Sequence, residues 1–413
     1  MFEKLPRCKV FRDPLYGYIK VEYKLIAKLI DTKEVQRLRR IRQLSGVSMV
    51  FQTAEHSRFT HSLGAYQMAN LVLENVSGAQ ELSEYEKILF LCSALLHDIG
   101  HGPYSHAFET VMKVSHEEMT ARLILSKYSE VNMALNEEGE TLASDIASII
   151  LHKGKFTVIE SLVSSQLDVD RMDYLSRDAY FTGAAYGVID KERLLRCMLI
   201  KDNKVYVRAS GVHSVESYIM SRYHMYWQVY FHPVARAYEV ILESIYKRIK
   251  DLTENGIDVD ASVSSFLNAI SDNIDIREYV NLDDAYVNGF IKQLTNSFDP
   301  ILKELSIDFM NRHLFKYIDI NKEQDQAELL KIEEKYKNKE NSRYYYYEIS
   351  ITSSAYLETN SSLPLDINEI TILLPNGEAM PLEEYSPIIK GLIQTSLKKS
   401  TRIFYHEDLK WKI

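Results

Sequence analysis

The residues with the clearest chemical potential lie in one string, Leu95-Leu96-His97-Asp98-Ile99-Gly100-His101-Gly102-Pro103-Tyr104-Ser105-His106. An apolar stretch delivers an imidazole, a carboxylate and two more imidazoles into a turn punctuated by glycine. Imidazole nitrogen and carboxylate oxygen suit borderline to hard divalent ions, and a catalytic centre keeps coordination positions open for water and substrate. Adjacent residues on a helix point about 100° apart, so His97 and Asp98 can meet one ion only at a helix end or with ligands from other segments. Two segments offer them. Arg58-Phe59-Thr60-His61-Ser62-Leu63-Gly64 presents a histidine where a helix begins, and Asp168-Val169-Asp170-Arg171-Met172-Asp173-Tyr174 presents carboxylates at another helix start. Taken singly, a histidine such as His61 is more often a cap or a core residue, and an aspartate such as Asp168 or Asp170 is more often an N-cap. The combination is what carries weight.

Further polar residues fall at helical spacing. Asp170, Tyr174 and Asp178 stand at i, i+4 and i+8, on one face, with Arg171 and Arg177 flanking it. Arg222, Tyr226 and Tyr230 repeat that spacing and suit a guanidinium on phosphate with aromatic rings beside a sugar or base. Aromatic residues so spaced are usually core, and an arginine there is often a surface ion pair. His106 with Glu109 three residues on, and His101 and His116 nearby, supply groups able to hold or release a proton near neutral pH.

The elements that must position these groups are mainly helical. Leu25 to Leu44, Gly64 to Val76, Glu84 to His97, His116 to Tyr128 and Val215 to Ile249 place apolar residues at helical spacing. In the first of these, Arg37, Arg39, Arg40 and Arg42 read as a solvated face opposite Leu38, Ile41 and Leu44. Asp13 to Tyr18 predicts a turn feeding a short extended stretch, and Lys204 to Arg208 a strand, both as accessories. Beyond Ile249 the pattern stays helical to Tyr317, then Asn321 to Lys339 is charged without a clear apolar face. Tyr344 to Leu357 and Ile367 to Leu374 then read as strands, with a turn at Pro375-Asn376-Gly377 and a last strand at Arg402 to Tyr405. The expected architecture is mainly α, with a helical core over 1–249 and a smaller C-terminal α+β lobe over 250–413.

Bulk properties set limits. With 413 residues, 46% of them hydrophobic, the chain can bury a substantial core and divide into two lobes. A formal charge of -9 argues against extensive nucleic-acid binding, which needs a basic surface. Cys8, Cys92 and Cys197 form no CxxC pair, so neither a disulfide framework nor a thiolate zinc site is indicated. No apolar run is long enough to span a membrane, and a cytoplasmic location is expected.

The order of motifs adds a family resemblance. Asp13-Pro14, Gln36 to Leu44, Arg58 to Gly64, His97 to His106 and Asp168 to Tyr174 follow one another as in the HD-domain deoxynucleoside triphosphate triphosphohydrolases of the HD phosphohydrolase superfamily. The resemblance covers residues 9 to 240 with specific motifs and the C-terminal lobe more weakly. It implies an HD-type helical core whose metal ligands are His61, His97, Asp98 and Asp170. It implies that Tyr174 packs on the deoxyribose where a 2'-hydroxyl would sit, that Asp178 accepts from the 3'-hydroxyl, and that Gln43 and Leu44 are further sugar contacts. Arg58, Arg171 and Arg222 become phosphate candidates and Tyr226 and Tyr230 ribose or base contacts. Lysine is common in the family where Arg171 stands.

The implied reaction is attack of water on the α-phosphorus of a dNTP, releasing a deoxynucleoside and inorganic triphosphate. His106 is the first candidate for the acid that protonates the departing 5'-oxygen, oriented by Glu109, where relatives often carry aspartate. His101 and His116 are phosphate-side partners. Residues matching Lys9, Asp31 and Arg39 help bind an activating guanine nucleotide between subunits in the family, which implies a homotetramer. His and Asp ligands accept Fe, Mn, Ni, Co or Zn, and Mg can join through the substrate phosphates. Two alternatives stay open: an HD phosphohydrolase acting on another nucleotide phosphoester, and a nucleotide-responsive assembly protein.

Overall fold

The structure, a computed structural model, describes residues 2–112, 114–269, 274–320, 326–336, 340–352, 370–395 and 399–407. The chain is mainly α, with a smaller strand-containing C-terminal region. It opens with an antiparallel hairpin, Lys4–Asp13 and Gly17–Tyr23. Asp13 closes its turn by accepting from the Leu15 and Tyr16 amides, and Gly17 takes the positive φ of 73° that the turn requires. Ile19 and Val21 alternate inward, so the hairpin lies against the core rather than standing apart from it.

The predicted helix from Leu25 to Leu44 is broken. Helices Lys24–Asp31 and Lys33–Arg37 are separated by extended Thr32, a 3-10 turn covers Leu38–Arg40, and Ile41 is extended. Leu38, Ile41 and Leu44 are buried as expected, but so is Arg37, which corrects the expectation of a solvated arginine face. Its guanidinium donates to the carbonyls of Leu282, Ile99 and His101. Backbone acceptors offset the cost of burying this charge without a carboxylate.

Three helices frame the site. Helix Arg58–Asn75 is buried on most of its circumference and packs against both Glu84–Leu96 and Val169–Thr182. Helix Glu84–Leu96 starts on a capping box between Ser83 and Glu86 and ends at Leu96, directly before His97. Helix Val169–Thr182 starts on Asp168, whose carboxylate accepts from the Arg171 amide, and stops at Gly183 with φ of 73°.

The stretch from Val215 to Ile249 is also interrupted. Helix Val212–Met225 runs into a π turn at Tyr226–Tyr230, closed by Phe231 N donating to Tyr226 O at 2.8 Å, and a new helix, Pro233–Glu254, starts on its proline.

Beyond it lie helices Ser264–Ala269, Ile276–Tyr279, Asp284–Leu294, Pro300–Asn311 and Gln326–Tyr336. Strands Lys316–Asp319, Lys399–Tyr405 and Tyr346–Thr352 form one sheet in that order. A second sheet sets Thr371–Leu373 parallel to Lys204–Arg208, so the C-terminal segment is joined by backbone hydrogen bonds to the first half. The ends of two predicted strands, 353–357 and 367–369, lie outside the described residues, as do 321–325 and 337–339 of the charged stretch. Among the described residues no helix is long and apolar enough to cross a membrane.

Candidate metal centre and active site

Four side chains from three helix ends converge. His61 lies in the first turn of its helix, His97 and Asp98 follow the end of theirs, and Asp170 opens the third. His61 Nε2 lies 3.1 Å from Asp170 Oδ1, 3.2 Å from His97 Nε2 and 3.7 Å from Asp98 Oδ2, and His97 Nε2 is 3.3 Å from Asp98 Oδ1. Donors that each sit about 2.1 Å from one ion are themselves roughly 3 to 3.5 Å apart, so this set fits a divalent cation. Both imidazole rings are held in a ligating orientation. His61 Nδ1 meets Asp173 Oδ2 at 2.9 Å and His97 Nδ1 meets Ala94 O at 2.9 Å, which turns both Nε2 atoms inward. Burial lowers the pKa of His61, but Asp170 and Asp173 outweigh it and raise it to about 10. The cluster therefore attracts positive charge, which a proton or a metal ion can supply.

The turn after Asp98 is braced from several sides. Arg58 donates from Nη1 to Asp98 Oδ2 at 2.5 Å and from Nε to the Ser105 hydroxyl at 2.9 Å. The carbonyls of Ile99 and His101 accept from Arg37, and that of Gly100 from the Tyr279 hydroxyl at 2.6 Å. A β-carbon at Gly100 would collide with the backbone of His116 and Thr120, so glycine is required for this close approach. Tyr104 and Ser105 both adopt positive φ, a strained pair that the Tyr104 amide, bonded to Asp284, helps to hold.

Beside Asp98 the rings of His101 and His116 stack at 3.8 Å with 15° between planes. Glu109 Oε1 lies 2.8 Å from His116 Nδ1 and 3.3 Å from His101 Nδ1. The two imidazoles are shifted in opposite directions. Burial, Arg58 and His116 lower His101 to about 4, whereas for His116 the lowering by burial is outweighed by Glu109 and Glu117, and its pKa is raised. Asp98, His101 and His116 form a second trio whose donor atoms converge. The side chain of His106 lies outside the described residues, and with it the expected pairing to Glu109.

Arg58, Asp98, His101, His116 and Asp170 line one cavity of about 680 Å³, together with Gln43, Leu44, Tyr174, Asp178, Tyr226 and Tyr230. Asp178 accepts from the Tyr230 hydroxyl at 2.7 Å and lies 2.7 Å from His56 Nε2. Gln43 Oε1 is buried with no hydrogen-bond partner among the described residues. The π turn brings both Tyr226 and Tyr230 to the cavity, their rings 5.2 Å apart and edge to face, where a regular helix would have rotated Tyr230 further round.

Arg171 and Arg222 sit behind the wall rather than on it. Arg171 pairs with Asp168, and Arg222 Nη1 donates to Gln166 Oε1 at 2.5 Å. Arg222 Nε and Nη2, Arg171 Nε and Gln166 Nε2 are buried without acceptors among the described residues. Lys9 and Asp31 do meet, at 2.9 Å on the surface, while Arg39 lies 3.6 Å over the Phe59 ring and bonds Gln36.

Several site residues were not anticipated. His56 and Gln166 lie two residues from singled-out motifs, and Asp173 is inside one, so proximity in sequence was the available signal. Arg236, Glu239, Ile349 and Ser350, which also line the cavity, carry no such signal.

The comparisons agree with this geometry. The HD domain profile matches residues 58–178, and that of the HD associated region matches residues 189–408. An uncharacterized protein of Bacillus subtilis is 39% identical over 418 residues, 98% of this chain and 94% of that one. The deoxynucleoside triphosphate triphosphohydrolase SAMHD1 homolog of Dictyostelium discoideum is 29% identical over 337 residues, 75% of this chain and 60% of that one. A phosphohydrolase from Bacteroides thetaiotaomicron superposes with a TM-score of 0.80 at 28% identity, covering 97% of this chain and 100% of that one. The chain is thus an HD phosphohydrolase and belongs to the HD-domain family that includes the deoxynucleoside triphosphate triphosphohydrolases.

Proposed function

We propose that the chain hydrolyses deoxynucleoside triphosphates to deoxynucleoside and inorganic triphosphate. The observation that carries this reading is the arrangement of one cavity, which reaches the His61, His97, Asp98, Asp170 cluster through Asp98 and Asp170 and continues to a polar shelf of Gln43, Tyr174, Asp178 and Tyr230. The relatives named as triphosphohydrolases support the same substrate class. His61, His97, Asp98 and Asp170 would hold a divalent ion, Fe, Mn, Ni, Co or Zn, which would supply Lewis acidity for activating water and offsetting charge on the phosphoryl oxygens.

The chain's own residues do the rest. Arg58 places a permanent cation beside Asp98, within reach of the phosphates. His116, protonated more readily than an ordinary histidine, donates to a phosphate oxygen, and neutral His101 stacks against it. Glu109 orients the pair, and His106 remains our candidate acid for the 5'-oxygen. Mg, when it accompanies the substrate, would be held through the phosphate oxygens. Arg171, Arg222 and Gln166 hold buried donors that an anion, directly or through water, would satisfy. Gln43 Oε1 and Asp178 accept from the sugar hydroxyl, while Tyr174 and Leu44 pack on the ring and Tyr226 and Tyr230 flank it.

Incubation of metal-loaded protein with the four dNTPs, followed by product separation, tests the reading. Equimolar deoxynucleoside and triphosphate are expected, whereas orthophosphate or pyrophosphate would point to another phosphoester.

We further propose that a guanine nucleotide bound at Lys9, Asp31 and Arg39 of adjoining subunits promotes an active homotetramer. The exposed Asp31 carboxylate, held only by Lys9 in the bonds seen, suits the Watson-Crick edge of guanine. Asp31→Ala should abolish activation by dGTP and leave metal content unchanged. Full activation of that variant would remove the idea.

A further inference from the structure

The turn of the N-terminal hairpin reaches the back of the metal centre. Asp13 Oδ1 closes the turn, while its Oδ2 accepts from Arg177 Nη1 at 2.8 Å. Arg177 grips Asp173 with both Nε, 2.8 Å from Oδ2, and Nη2, 3.0 Å from Oδ1. Tyr16 adds its hydroxyl, donated to Asp173 Oδ1 at 2.8 Å. Asp173 Oδ2 in turn takes His61 Nδ1 at 2.9 Å. Asp13, Arg177, Asp173 and His61 are all buried. A β-carbon at Gly64, three residues beyond His61, would strike the Asp173 carboxylate and the Arg177 guanidinium, so glycine lets this network press against the helix that carries the ligand.

We propose that the hairpin turn, through Asp13 and Tyr16, is a positioning element for the metal ligand His61. This rests on reading His61, His97, Asp98 and Asp170 as the metal ligands. Arg177 grips both Asp173 oxygens, and on its own it would neutralise the carboxylate that holds the His61 ring. Two devices offset that. Asp13 shares the Arg177 charge, so the buried trio of two carboxylates and one guanidinium keeps one net negative charge next to His61. Tyr16 adds a second donor on Asp173 Oδ1, which fixes the rotation of the carboxylate with Oδ2 facing the imidazole. The His61 proton is thereby fixed on Nδ1, and Nε2 presents its lone pair to the ion as a stronger base. Neither residue touches the cavity, so both act through Arg177 and Asp173.

The test is Mn2+ titration of the chelator-stripped full-length protein, with thermal unfolding measured alongside. Tyr16→Phe keeps the ring, over which Lys191 Nζ lies at 4.4 Å, and removes only the hydroxyl. Asp13→Asn keeps an acceptor for the turn and removes the charge. Each is expected to weaken Mn2+ binding by about 10-fold, the lower end for partners that orient a ligating histidine, with the fold intact. Asp170→Ala, which removes a ligand, should abolish binding. Wild-type affinity in both hairpin variants, whatever their unfolding midpoints, overturns the proposal. Should Asp13→Asn fail to fold, Tyr16→Phe decides alone. Wild-type affinity in Asp170→Ala would instead overturn the ligand assignment beneath it.

Discussion

Two sets of side chains around the cavity are built on opposite terms. At the metal centre the second ring nitrogens of His61 and His97 are fixed by Asp173 and Ala94 O, and Asp98 by Arg58. Behind the cavity wall, Arg171 and Arg222 bury guanidinium nitrogens that have no acceptor among the described residues. Each such buried donor costs about 1 to 3 kcal/mol until it is paired. One set is organised before any ligand arrives, and the other keeps donors that, in the proposed reading, an anion satisfies directly or through water. An enzyme that must bind a highly charged phosphate chain and hold a reactive centre still has reason to separate the two requirements in this way.

Substitutions can break that contrast. The largest effect is expected in the braced set: Asp170→Ala should lose the metal and on the order of a thousandfold in kcat, equivalent to about 4 kcal/mol of transition-state stabilisation. Metal analysis beside a rate assay checks this, and retained metal with full activity would contradict it. In the other set, Arg222→Met should lower kcat/KM by roughly 10 to 100-fold, yet raise the thermal unfolding midpoint of the ligand-free protein, because an unpaired buried charge is replaced by an apolar chain of similar length. A lowered midpoint would mean that Arg222 is satisfied without substrate.

A smaller effect concerns pH. Because the pKa of His116 is raised, its proton persists to higher pH than on an ordinary histidine and is lost as pH rises through the raised value, so the rate should fall on the alkaline side. In His116→Gln this dependence should flatten, at a cost of about 10-fold in rate, and an unchanged alkaline limb would assign it to another group.

Much of the convergence of His61, His97, Asp98 and Asp170 was legible in the sequence because its constraints are local. Two adjacent ligands can share an ion only at a helix end, and the helix does stop at Leu96, one residue before His97. Asp170, Tyr174 and Asp178 kept their common face because Val169–Thr182 is an unbroken helix. The spacing of Arg222, Tyr226 and Tyr230 was less informative, since a π turn follows Met225 and only the tyrosines reach the cavity. Arg37 misled because a charged residue on an amphipathic pattern reads as solvated, whereas three backbone carbonyls from distant segments receive it. The hairpin, expected as an accessory, is joined to the metal centre by Asp13 and Arg177, 164 residues apart, a contact no local pattern announces. Ile349 and Ser350, which also line the cavity, are equally remote.

The central claim is that water attacks the α-phosphorus of a dNTP bound with its triphosphate near Arg58 and its sugar on the Asp178 shelf. Hydrolysis in water enriched in heavy oxygen, followed by mass spectrometry of both products, tests it most directly. One labelled oxygen should appear in inorganic triphosphate and none in the deoxynucleoside. Label in the deoxynucleoside, or in orthophosphate or pyrophosphate as the released product, would contradict it.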